Sequence, residues 1–161
     1  MSKTCRTFSF LAWWLLIAAG LTASASDRSA VGTWKLDTSK SSYGTLPAPK
    51  FEQLVVTTDS SDSLAWKLTG ATADGMSFAV SFDGPTDGTY HPIVGSKDDH
   101  EIAYTRLPGG GMKFSVRTKT GYVFETGTSQ LSADGNTLTR RGTIEGRQGR
   151  NEFVTVYTKE P

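Results

Sequence analysis

Three stretches of the chain alternate apolar and polar residues with period two. Leu64, Trp66 and Leu68 alternate with Ala65, Lys67 and Thr69. Met76, Phe78, Val80 and Phe82 alternate with Ser77, Ala79 and Ser81, and Met112, Phe114 and Val116 with Lys113, Ser115 and Arg117. Successive side chains of a strand point to opposite faces, so each stretch predicts a strand with one dry face and one wet face. Helical spacing of apolar residues is not sustained, because Gly and Pro interrupt too often and Thr, Ser, Val, Phe and Tyr dominate.

Turn chemistry separates these runs. "TADG" (72–75), "PGGG" (108–111), "KTG" (119–121), "SADGN" (132–136) and "EGRQG" (145–149) supply the glycines that tight hairpins need. Strands are predicted at 31–37, 51–59, 63–71, 76–83, 88–94, 100–107, 111–119, 121–131, 137–145 and 150–159. Parallel pairing would need long crossovers, which the short connections exclude. An open meander would leave two exposed edges, whereas closure removes them. The expected fold is therefore all-β, an antiparallel up-and-down meander barrel of about eight to ten strands with no substantial helix in the mature chain. A two-sheet sandwich is the alternative, for which only residues 38–50 offer a long connection. An outer-membrane barrel would require apolar-outward strands and aromatic girdles. That pattern is weak here, since Val55 and Val56 are adjacent and residues 153–157 are apolar on both faces.

The beginning of the chain follows a different rule. Lys3 and Arg6 precede the uncharged run Phe8 to Leu21, and Ala23 and Ala25 follow in an A-x-A arrangement. That order predicts a cleaved signal peptide over 1–26 and a barrel domain over 27–161, secreted or periplasmic. The apolar run is shorter than the roughly 20 residues of a spanning helix, and no later segment would span as a helix. The one cysteine, Cys5, leaves with the signal, so the mature domain relies on its core and not on disulfides.

Charge removes one class of function. The formal net charge is +1, and losing Lys3 and Arg6 brings it to about −1. Nucleic-acid binding would want a basic excess, and the small group Arg140, Arg141, Arg147 and Arg150 reads as a solvated strand face and turn.

Candidate chemistry is sparse. Trp34 opens the first predicted strand after Gly32, and a large flat indole there would stopper one end of a barrel. Its face would accept a cation from a late strand, with Arg140 or Arg141 the candidates. Trp66, Leu68, Met76, Phe78, Val80, Phe82, Met112, Phe114 and Val116 would line the interior and contact any ligand, or simply fill it. His91, held extended by Pro92, could reach the barrel mouth with Tyr90 or Tyr104 as an acid–base pair, although an edge histidine satisfied by its own backbone is the plainer reading. Asp98, Asp99, His100 and Glu101 are contiguous, so at most two could meet one ion, and no metal or other cofactor is expected. No Gly-x-Ser-x-Gly elbow is present, and "PGGGMK" lacks the strand–loop–helix setting of a phosphate loop.

"GTWKLDTSKSSYGTLPAPK" (32–50), "DGTYHPIVGS" (87–96) and the closing "NEFVTVYTK" (151–159) resemble segments of lipocalin-like, calycin-type barrels, most closely a set of small secreted bacterial lipocalin-like proteins. The resemblance implies a barrel that binds a small hydrophobic molecule. Thr-Asp-Tyr, a cysteine pair and a helix after the last strand, all usual in lipocalins, are missing, so the barrel is implied better than any transport role. Three functions follow: a small-molecule-binding barrel, a barrel enzyme of isomerase or cyclase type acting on an apolar substrate, and an interaction module with a filled core.

Overall fold

The computed structural model describes residues 28–146 and 149–161, so the expected signal peptide and residues 147–148 lie outside the described residues. Ten strands follow in order: β1 (Gly32–Leu36), β2 (Phe51–Asp59), β3 (Ser63–Ala71), β4 (Ser77–Pro85), β5 (Asp87–Pro92), β6 (Glu101–Arg106), β7 (Met112–Arg117), β8 (Val123–Leu131), β9 (Thr137–Gly146) and β10 (Gly149–Lys159). Every predicted strand has its counterpart: 51–59 and 63–71 match in full, and the others differ at their ends by one or two residues. Each pair of neighbours is antiparallel, in the sheet order β4-β3-β2-β1-β10-β9-β8-β7-β6-β5.

β1 is the hinge of that order. It pairs with β2 on one side and β10 on the other, with Trp34 opposite Leu54 and Lys159. The two free edges are β4 and β5, separated in sequence by Thr86 alone. They meet just past β5, where Ser81 and Val94 exchange both backbone hydrogen bonds at 2.9 Å each. The barrel is thus nearly closed, not edge-free. Pro85 and Pro92 fall on these edge strands, where a missing N–H removes no central ladder bond.

Period two decides what lies inside. Even-numbered residues of β2, β3, β4, β6 and β7 build the core, including Leu54, Val56, Leu64, Phe82, Ile102 and Phe114. Trp34, Phe82, Phe114, Ile102 and Tyr157 are the largest fully buried side chains. Trp34 is fully buried, and its indole N–H donates to the Ala30 carbonyl at 2.8 Å. Asp59 fastens the same segment: it accepts from the Ala30 N–H at 2.6 Å and pairs with Arg106.

The cation over the Trp34 ring is Lys159, 5.3 Å from its centroid, and not Arg140 or Arg141 as the sequence suggested. Register explains the difference. Trp34 is opposite Lys159, whereas Arg140 is opposite Thr155, four residues back along β10. At about 3.4 Å per residue that is roughly 13 Å. Arg141 is exposed on the opposite face of β9.

One row across the wall sets its curvature. Phe114, Gly127, Gly142 and Phe153 are successive partners across β7, β8, β9 and β10. A methyl group at Gly127 would overlap the Arg141 carbonyl, and one at Gly142 the Thr126 carbonyl; the rings of Phe114 and Phe153 press on the same two positions. Gly142→Ala is therefore expected to lower the unfolding free energy by about 1–3 kcal/mol in urea titrations. Gly146→Ala, with open space at its Cβ, should stay within about 0.5 kcal/mol. Equal effects at the two sites would show that the close approach is not what constrains Gly142.

Candidate functional site

The strands enclose a cavity of about 260 Å³. Its apolar wall comes from the inward parity of successive strands: Leu54 and Val56 on β2, Leu64, Trp66 and Leu68 on β3, Val80 on β4. Ile102 and Tyr104 on β6, Met112 and Val116 on β7, and Leu138 on β9 complete it. Beside the wall packs a chain of aromatic rings. Trp66 stacks on Phe82 at 6.1 Å, Phe82 meets Tyr104 edge-on at 5.2 Å, and Tyr104 meets Phe114 at 6.4 Å. The Trp66 indole N–H donates to the Tyr104 hydroxyl at 3.0 Å, which fixes both rings.

Of the nine expected lining residues, Trp66, Leu68, Val80, Met112 and Val116 face the cavity. Phe82 and Phe114 are packed into the core behind it. Phe78 is half-buried and lies against Gly70. Met76 is 55% exposed and belongs to the β3–β4 turn, where it exchanges hydrogen bonds with Thr72. The alternation that includes Met76 starts one residue before the strand does.

The acid–base residues are not brought together. The His91 ring is hydrogen-bonded to the Thr89 hydroxyl at 2.7 Å. Tyr90 shares a hydrogen bond with Ser115 at 2.7 Å beneath the Arg117 guanidinium, 4.0 Å from its ring centroid. Of the three, only Tyr104 lines the cavity.

A polar cluster inside the barrel is the feature that sequence reasoning missed. Arg140 and Glu125 line the cavity and pair at 3.3 Å, with the Arg140 guanidinium 4.5 Å over the Phe114 ring. Their side chains keep 24% and 19% exposure, which on cavity-lining groups is exposure to its interior. Tyr157 donates to Glu52 at 2.6 Å. Ser129, the strand partner of Arg140, and His100, whose ring lies 4.6 Å from Phe124, also face in. Glu125 shares the inward parity of Gly127 and Ser129, opposite Val116; the bulge lies just beyond it, where Arg117 pairs with Val123, so Phe124 is the extra residue and also lines the cavity. Glu52 was legible, since it shares the parity of Leu54 and Val56.

Burial governs the ionisation of this cluster. Desolvation raises the Glu52 carboxyl, partly offset by the Tyr157 hydrogen bond and the Arg140 charge. It raises Glu125 likewise, against the pull of Arg140 and His100. Burial pushes the Tyr104 hydroxyl up to about 12 and, with the Glu52 charge, lifts Tyr157 well above the ordinary range. Burial alone would discharge Arg140, but Glu125 and Tyr157 outweigh it and hold the guanidinium protonated. A second recess of about 590 Å³ lies between Asp59, Arg106 and the Gly109–Gly111 turn. Arg28, Ser29, Ser60, Gln130 and glycines border it, whereas aliphatic and aromatic side chains form most of the smaller cavity, which is the candidate site.

No protein-family model matches the chain, and no curated protein sequence matches it. Two solved structures are similar. A redesigned β-barrel superposes with a TM-score of 0.50 at 14% identity, covering 83% of this chain and 96% of its own. The zebrafish ileal bile acid-binding protein in complex with cholic acid gives a TM-score of 0.50 at 16% identity, covering 82% of this chain and 100% of its own. At such identities the likeness is one of fold alone, an antiparallel β-barrel.

Both raised carboxyls keep their protons in the folded chain to higher pH than the ordinary value of 4.5. Their contribution to stability is full below that value and is lost as pH rises through the folded values. Glu52→Gln keeps an oxygen for Tyr157 and removes the ionisation. The variant should therefore gain stability over the natural protein at about pH 8 relative to about pH 4.5, measured by urea unfolding. A difference independent of pH would show that Glu52 does not titrate as its burial requires.

Proposed function

We propose that this chain is a secreted or periplasmic protein that binds a small hydrophobic molecule inside the barrel. One observation carries the reading: a cavity of about 260 Å³ with apolar walls from six strands, also lined by Glu125, Ser129 and Arg140. A core filled by its own side chains would not retain a space of that size. The signal-like order of residues 1–26 supports export. A similar barrel in complex with cholic acid supports hydrophobic binding as an analogy of fold.

Tryptophan fluorescence should shift saturably when fatty acids, terpenoids, aromatics or haem are titrated, because Trp66 forms part of the wall. A flat response across all four classes would overturn the reading. Val80→Phe extends a ring into the cavity and should weaken the best ligand about tenfold or more, with a stability loss of about 1–3 kcal/mol at most. Native mass spectrometry of protein recovered from its own host should find a retained small molecule.

A further inference from the structure

Resting on the binding reading above, we propose that the ligand is an uncharged apolar molecule with one hydrogen-bond-accepting oxygen, seated against Tyr104 and Ser129. Free acids and amines are disfavoured by the same site.

The first support is the charge balance of the cavity. Arg140 is already compensated by Glu125 at 3.3 Å, and Glu52 is already engaged by Tyr157 at 2.6 Å. The titratable groups lining this space are His100 before β6, Tyr104 on β6, Glu125 on β8, Arg140 on β9 and Tyr157 on β10, with Glu52 on β2 bonded to Tyr157; β3, β4 and β7 contribute none. A ligand carboxylate next to Arg140 would have to share it with Glu125, leaving one uncompensated negative charge in an apolar enclosure. It would enter only with a proton, carried by itself or taken up by Glu125. An ammonium would face the Arg140 charge. An uncharged ligand meets neither obstacle.

The second support is the pattern of unused donors. Tyr104 accepts the Trp66 indole N–H, and its own O–H has no acceptor among the described residues. Burial keeps that hydroxyl protonated, with its pKa pushed up to about 12. The Ser129 hydroxyl makes no hydrogen bond among the described residues and faces the same space. Two unused hydroxyl donors in an apolar cavity specify an acceptor on the occupant. The volume, somewhat below that of drug-sized pockets, suits a single-ring molecule.

The test uses four molecules of one shape: menthone, p-menthane, p-menthane carboxylic acid and menthylamine. Each is titrated into the full chain by calorimetry, at about pH 7 and about pH 8.5. Menthone should bind tightest and equally at the two pH values. The acid should weaken about tenfold per pH unit, because it must bring a proton. Tyr104→Phe and Ser129→Ala should each lower menthone affinity severalfold, up to about tenfold, and leave p-menthane binding unchanged. Retained p-menthane binding shows that the variant is folded. Tighter binding of the acid or the amine than of menthone at the higher pH would overturn the proposal and leave the binding reading intact. So would menthone affinity untouched by both substitutions. If none of the four binds, while fatty acids, aromatics and haem also leave the fluorescence unchanged, both fall together.

Discussion

The barrel depends on β1. Five residues, Gly32–Leu36, carry the ladders that join β2–β4 to β5–β10. Without that seam the chain would be two meanders joined in the sheet only by the Ser81–Val94 bridge. Burial of Trp34 at the seam, its N–H satisfied by Ala30, ties β1 to the core. Removing a large buried aromatic costs roughly 3–5 kcal/mol in well-packed cores, a large part of the stability of a domain this size. The loop after β1 reinforces the seam: the Asp37 N–H donates to Val156, and Ser42 and Val154 exchange hydrogen bonds.

The interior is shaped by a conflict between packing and charge. Apolar walls would close on one another if nothing held them apart, because close packing and burial favour it. Arg140 and Glu125 stand in the way. A charged pair needs polar surroundings, and the rings of Phe114 and Tyr104, the Ser129 hydroxyl and the Tyr157–Glu52 bond supply them. The hole and the polar cluster are thus two sides of one arrangement. Removing either charged partner would leave the other buried and unmatched, the most costly way to alter such a site.

Much of this was legible in residue parity. Period two in β3, β4 and β7 placed Trp66, Val80 and Val116 inside, and the position of Trp34 at the head of the first strand marked it as buried. Three features escaped, each for a physical reason. The cation over Trp34 depends on strand register, which alternation does not reveal, and register selects Lys159. Glu125 shares the inward parity of Gly127 and Ser129, but β8 carries no apolar alternation to mark that face as the inner one. Met76 continues the apolar rhythm into a turn, where the rhythm has no structural meaning. Glu52 shows the opposite failing, for its parity was plain and its charge diverted attention from it.

The Ser81–Val94 bridge leaves most of the β4 and β5 edges without a ladder partner. Unpaired edges are templates on which a second chain can add a strand, the first step of sheet-to-sheet aggregation. Here each edge carries its own deterrents. Asp83 and Pro85 sit on β4, and Asp87 and Pro92 on β5. A charge must stay solvated and a proline withholds a donor, so an approaching strand gains little from either rim. The barrel can remain incompletely sewn and still keep other chains out.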